Sequence, residues 1–194
     1  MLRFSVDLFE YLLYERDNVK VIHLFRDPRA VINSEINAHW YKHTHNIELN
    51  ARSLCKKMLH DYIEGRVLLS RYPSKFMFLY YEDLTDNALD KVKALYKYIG
   101  MSESPEKIER LKALSVFSDK SLRSDGKNST AFWWRNQLSW DIVQKVDKEC
   151  SSVINLLGYK LFSTENQLKD LSIPSIDIPS QYRVATEADM GTEN

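Results

Sequence analysis

The sequence predicts an α/β fold: a doubly wound parallel sheet flanked by helices. Two short runs, Val19–Phe25 and Lys75–Tyr80, are apolar and rich in β-branched or aromatic residues, the composition of strands buried in a parallel sheet. Amphipathic stretches of helical period stand between and after them. The resulting order of strand, helix, helix, strand, helix is the grammar of such a sheet, although two strands are few for so many helices.

In chain order, Leu8 to Tyr14 reads as a short helix that ends in the polar Glu15 to Asn18. The first strand follows, with Arg26 at its C-terminal end. Asp27 can cap the next helix, and Pro28 takes its first position, where a missing N–H costs nothing. That helix is expected to reach about Ala38, and the polar stretch His39 to His45 reads as loop. Leu54, Met58, Tyr62, Leu68 and Leu69 mark a long helix that stops before Pro73. After the second strand, Asp86 opens a helix with Leu89, Val92, Leu95, Tyr96 and Ile99 on one face and Gly100 as its stop. Pro105 to Leu114 reads as helix and Ser118 to Thr130 as loop. The last element uses Val143, Val146, Cys150, Val153, Ile154 and Leu157 and closes at Gly158. Residues 1–162 therefore form the predicted domain. Residues 163–194, with Pro174 and Pro179 and little pattern, read as a weakly structured acidic tail.

The 194 residues suffice for one domain with a real core. Twenty-seven basic residues balance 27 acidic ones, so no global field recruits nucleic acid or a membrane surface. The tail holds six of the acids and two of the bases, which leaves a mildly basic body suited to an anionic ligand. No apolar run reaches the ~20 residues of a membrane span, and the first ten residues carry acids too early for a signal peptide. The two cysteines, Cys55 and Cys150, each lie in an amphipathic stretch; two buried free thiols are expected, with a single bridge as the alternative.

Ligands of open parallel sheets bind beyond the carboxyl ends of the strands. Arg26 stands at such an end, just before a helix N-terminus that itself favours anions. Its planar fork suits phosphate, at roughly 1.5–3 kcal/mol per charge-assisted bond. Ser34 lies one turn beyond Ala30 and can share the inward face of the same helix. The competing reading pairs Arg26 with Asp27 and leaves Ser34 as a packing residue.

These residues also carry a resemblance. Lys20 to Ser34, read through Arg26-Asp27-Pro28-Arg29, resembles the 3′-phosphate-binding segment of Golgi carbohydrate sulfotransferases, above all those that 6-O-sulfate galactose, N-acetylglucosamine or N-acetylgalactosamine. Phe78 to Leu84 is similar to the family's strand ending in Tyr-Glu-Asp-Leu. Lys127-Asn128-Ser129 before Trp134-Arg135 is similar to its late loop, and Leu138-Ser139-Trp140 through Cys150 to Leu157-Gly158-Tyr159 resembles its terminal helix. The four stretches occur in order between Leu2 and Phe162.

The resemblance implies a partial P-loop-like sheet and a co-substrate, 3′-phosphoadenosine 5′-phosphosulfate, with no metal. Arg26 and Ser34 would hold its 3′-phosphate, Tyr81 would lie near the adenine, and Lys127 and Ser129 would close over the phosphate side. The gap from Asn128 to Trp134 is about two residues shorter than the family's, and Asn128-Ser129-Thr130 is an incidental glycosylation sequon. The family's Gly- or Ser-rich 5′-phosphosulfate loop follows its first strand. The five glycines here, at 65, 100, 126, 158 and 191, form no such cluster. The first strand, that loop and the catalytic base are therefore expected upstream, and Arg3 reads as a solvated arginine.

A glycan acceptor is implied, keratan- or chondroitin-like or bearing N-acetylglucosamine, with Golgi residence and a membrane anchor absent from this sequence. His39, His43 and His45 have a spacing that can present imidazoles together, but a sugar contact through Trp40 and Tyr41 is the better reading. Trp133, Trp134 and Trp140 read as packing residues. Two rivals are a non-catalytic sulfotransferase-like module that binds 3′-phosphoadenosine nucleotide or glycan and, more distantly, a P-loop kinase relative.

Overall fold

The computed structural model describes residues 5–38, 46–85, 88–102, 104–110 and 131–185. A 3-10 turn, Val6–Phe9, leads into α1 (Glu10–Glu15). Strand β1 (Val21–Phe25), helices α2 (Pro28–Asn37) and α3 (Ile47–Arg71) and strand β2 (Phe76–Tyr80) follow. Then come α4 (Tyr81–Thr85), α5 (Ala88–Ile99), the helical residues 105–110 (α6), α7 (Trp134–Gln137), α8 (Trp140–Leu156), α9 (Glu165–Lys169) and a 3-10 turn, Ser180–Tyr182.

Among the described residues the sheet is one parallel pair, with Val21 opposite Phe76 and Phe25 opposite Tyr80. The expected α/β class stands, as a short parallel sheet among many helices. Strand β2 is largely buried, but only Phe25 of β1 is fully buried. The apolar run of β1 predicts deeper burial than a strand with one described neighbour receives. The face carrying Phe25, Phe76, Phe78 and Tyr80 packs as an aromatic cluster: Phe78 stacks on Tyr62 at 5.7 Å and meets Tyr182 edge-on at 5.3 Å. Gly65 lets α3 lie this close, since a Cβ there would stand 2.6 Å from the Phe78 ring.

Helix α3 buries Ala51, Cys55, Met58, Tyr62, Gly65 and Leu68 on this side, spaced at three to four residues, and α8 answers with Val146, Cys150, Val153 and Ile154. Cys55 and Cys150 meet there as a disulfide, with Cα atoms 5.4 Å apart. The expectation of two free thiols is thereby corrected: each was rightly placed on a buried helical face, but only the packing of α3 on α8 brings those faces together.

The acidic tail also departs from expectation. Residues 163–185 fold back: Leu168, Ile178, Tyr182 and Val184 are buried, and Tyr159 bridges Ile176 in antiparallel fashion. The turn that allows it uses Gly158 at φ +81°, where a Cβ would collide with the Asp177 carbonyl oxygen. Arg135, 2% exposed, organises the segment by donating to the carbonyls of Leu168 (2.8 Å), Ile173 (2.8 Å), Gln167 (3.1 Å) and Asp170 (2.8 Å). Four backbone acceptors on one guanidinium supply order that hydrophobic periodicity cannot reveal.

Candidate phosphate site

Because β1 and β2 are parallel and Phe25 is opposite Tyr80, the next residues of the two strands, Arg26 and Tyr81, emerge side by side. The Arg26 guanidinium lies over the Tyr81 ring, 4.5 Å from its centroid. Asp27 caps α2 by accepting from the Arg29 N–H at 2.9 Å, and Pro28 opens the helix. Two turns on, the exposed Ser34 hydroxyl donates to the Ala30 carbonyl (3.0 Å) and accepts from Arg26 Nη1 (3.2 Å). Three of the five residues expected at the site thus touch: Arg26 contacts both Ser34 and Tyr81. Lys127 and Ser129 lie outside the described residues, as do Arg3, the sequon and the aromatic and histidine residues between His39 and His45.

The competing role for Arg26 belongs to its neighbour. Arg29, fully buried, grips both Asp27 oxygens at 2.9 and 2.8 Å, donates to the Lys160 carbonyl at 3.0 Å and reaches Asp147 at 3.4 Å. Its guanidinium lies against the rings of Trp134 (4.5 Å) and Phe162 (5.4 Å). Burial alone would lower its pKa, but the Asp27 and Asp147 carboxylates outweigh that and raise it. Burial conversely pushes Asp147 up to about 6 against the pull of Arg29. The turn after β1 therefore has an inward arginine for the fold and a half-buried one at the surface.

Tyr81 is followed by two buried carboxylates. Glu82 accepts from the Asp27 N–H at 3.0 Å and from the Tyr159 hydroxyl at 3.0 Å. Asp83 accepts from Lys91 Nζ and from the Val184 N–H, each at 2.8 Å. Burial raises the Glu82 carboxyl to about 7 and the Tyr159 hydroxyl well above its ordinary value. All four stretches that carry the family resemblance thus interlock: Asp27 with Glu82, Glu82 with Tyr159, and Arg29 with Trp134. Sequence reasoning missed Arg29, Glu82, Asp83, Arg135 and Tyr159 as structural residues. The available signal was charge beside buried strands, where an ionised group must find a partner.

Glu82 and Asp83 also line a cavity of about 310 Å³ with Phe132, Arg135, Ser175 and Arg183. It sits between the Tyr-Glu-Asp-Leu turn and the folded-back tail. Among the described residues, no group of three His, Cys, Asp or Glu side chains could hold a metal ion. None of the described helices is long and apolar enough to cross a membrane.

The profile of the sulfotransferase domain family matches residues 8–158. Carbohydrate sulfotransferase 1 of Danio rerio is 30% identical over 186 residues, which cover 84% of this chain and 43% of that protein. The Homo sapiens carbohydrate sulfotransferase 1 is 28% identical over 181 residues, covering 84% and 44%, and human carbohydrate sulfotransferase 6 is 22% identical over 182, covering 80% and 45%. The chain thus spans less than half the length of these relatives. No solved structure matches it significantly. With a domain match over most of its length and an Arg-Asp-Pro-Arg turn locked to the following strand end, the chain belongs to the sulfotransferase domain family.

Proposed function

We propose that this chain forms the 3′-phosphate half of the donor site of a carbohydrate sulfotransferase. Such an enzyme moves a sulfuryl group from 3′-phosphoadenosine 5′-phosphosulfate to a carbohydrate hydroxyl. The acceptor we favour is the 6-hydroxyl of galactose or an N-acetylhexosamine in a keratan- or chondroitin-like glycan or one bearing N-acetylglucosamine. The observation that carries this reading is the contact of Arg26 with both Ser34 and Tyr81 beyond the ends of two parallel strands.

In this reading Arg26 and the Ser34 hydroxyl bind the 3′-phosphate, helped by the N-terminal dipole of α2. Tyr81 supports the guanidinium and stands beside the adenine, while Lys127 and Ser129 cover the phosphate. The sulfuryl group moves in line from the donor phosphate to the acceptor oxygen, a step governed by positioning and charge stabilisation. The groups that act at that centre are expected outside these 194 residues. The buried Cys55–Cys150 bridge supports maturation in an oxidising compartment such as the Golgi lumen.

Calorimetry with 3′-phosphoadenosine 5′-phosphate tests the site. The chain binds it, and Arg26→Ala weakens binding by at least ~1.5 kcal/mol, about tenfold. Equal affinities for wild type and variant would remove the assignment. The 194 residues alone are expected to transfer no labelled sulfate to keratan or chondroitin; transfer by this chain would place the catalytic groups within it.

A further inference from the structure

We propose that Glu82 is a positioning residue of the phosphate site: its buried carboxyl clamps the turn that carries Arg26, and the charge on that carboxyl sets how tightly the site holds a phosphate. This inference rests on the 3′-phosphate reading of Arg26 and Ser34.

The geometry is specific. Glu82 is 5% exposed and spans two elements with its two oxygens. Oε1 accepts from the Asp27 N–H, one residue from Arg26, and Oε2 accepts from the Tyr159 hydroxyl after α8. Glu82 also follows Tyr81, whose ring carries the Arg26 guanidinium. A single carboxyl therefore ties the β1–α2 turn, the Tyr81 platform and the segment beyond α8. Loss of either acceptor leaves a buried donor without its partner and loosens the backbone that aims Arg26.

The groups around Glu82 determine what its charge does. Asp27 meets it from the cap of α2, Tyr80 from the end of β2 and Tyr159 from the segment beyond α8, while Arg29 and Asp147 act on Asp27. Asp83, Arg135 and Arg183 share the adjoining cavity. Arg29 is already gripped by Asp27 and Arg135 by four carbonyls. An ionised Glu82 thus adds negative charge beside the turn meant to receive an anion. Its carboxyl is raised by burial from 4.5 to about 7. Below 7 it is neutral: Oε1 still accepts from the Asp27 N–H while the proton on Oε2 faces the Tyr159 oxygen. Glutamine reproduces that neutral state, with the amide oxygen toward Asp27 and the amide nitrogen toward Tyr159.

The experiment measures affinity for 3′-phosphoadenosine 5′-phosphate from pH 6 to 8 in wild type, Glu82→Gln and Glu82→Ala, alongside ligand-free thermal melts. Between pH 6 and 8 the affinity of wild type is expected to fall on the order of threefold more than that of Glu82→Gln, as one added charge near the site predicts. Glu82→Gln is expected to bind more tightly than Glu82→Ala at every pH. The melts carry the same sign: with a raised folded pKa, the stability from Glu82 is complete below about 4.5 and is lost as pH rises through about 7. Wild type should therefore lose melting temperature from pH 6 to 8 relative to Glu82→Gln. An Arg26-dependent site whose Glu82→Gln variant follows the wild-type pH profile would overturn the Glu82 assignment alone. A wild-type chain that binds no nucleotide, yet shows the melt difference, would overturn the phosphate reading beneath it.

Discussion

Arg29→Leu is expected to destabilise the chain by about 3–5 kcal/mol, the range for removing one partner of a buried charge pair. The arginine has no solvent exposure, and Asp27, at 1%, has almost none. Without Arg29, both Asp27 side-chain oxygens lose their guanidinium donors, and only the Arg29 backbone N–H, a neutral capping contact, remains. The Lys160 carbonyl also loses its donor, and Trp134 and Phe162 lose the cation on their faces. Leucine restores apolar contact but none of these bonds. Urea unfolding of wild type and Arg29→Leu gives the difference directly. Adding Asp27→Asn should recover part of the loss, because asparagine still caps α2 without a buried charge. A loss below ~1 kcal/mol, the ordinary scale of surface pairs, would show that the network contributes little beyond what water supplies.

The second large effect concerns Cys55 and Cys150. Replacing both with alanine should cost about 4 kcal/mol, since the bridge closes residues 95 apart in sequence and so restricts the unfolded chain strongly. The two sulfurs also fill the contact between α3 and α8, where Cys55 is 3% exposed and Cys150 0%, so some of the loss comes from packing. Unfolding of the oxidised protein against the double alanine variant measures the sum; oxidised against reduced protein isolates the cross-link. Mass spectrometry after alkylation of the non-reduced, denatured chain should find no free thiol. Two alkylated cysteines would exclude the bridge.

Both effects arise at residues whose importance the linear chain only half displays. In Arg26-Asp27-Pro28-Arg29 two arginines stand three apart, equally charged and equally able to face a phosphate. The resemblance selects Arg26 for the phosphate; in the structure Arg26 lies beside Ser34 and Tyr81, while Arg29 is sealed inside against Asp27. Glu82 and Asp83 look like ordinary charge after a strand until the Asp27 N–H, Tyr159, Lys91 and Val184 are seen to meet them. The tail reads as loose because its order comes from hydrogen bonds to Arg135 and from scattered anchors such as Leu168 and Tyr182, which leave no period.

Local chemistry was legible in the residues themselves. The two apolar runs, the Asp-Pro start of α2, the glycine stops after α5 and α8 and the buried faces of α3 and α8 depend on neighbours within a few positions. Those neighbours are written side by side in the chain. Tertiary structure alone decided that Arg29 meets Asp147, Lys160 and Trp134, that Cys55 meets Cys150, that Glu82 joins the turn to Tyr159 and that residues 163–185 pack. Each of these pairs groups far apart in sequence. Such pairings are set by how helices pack on a sheet and by the need of every buried charge to find a partner, and no local pattern records them.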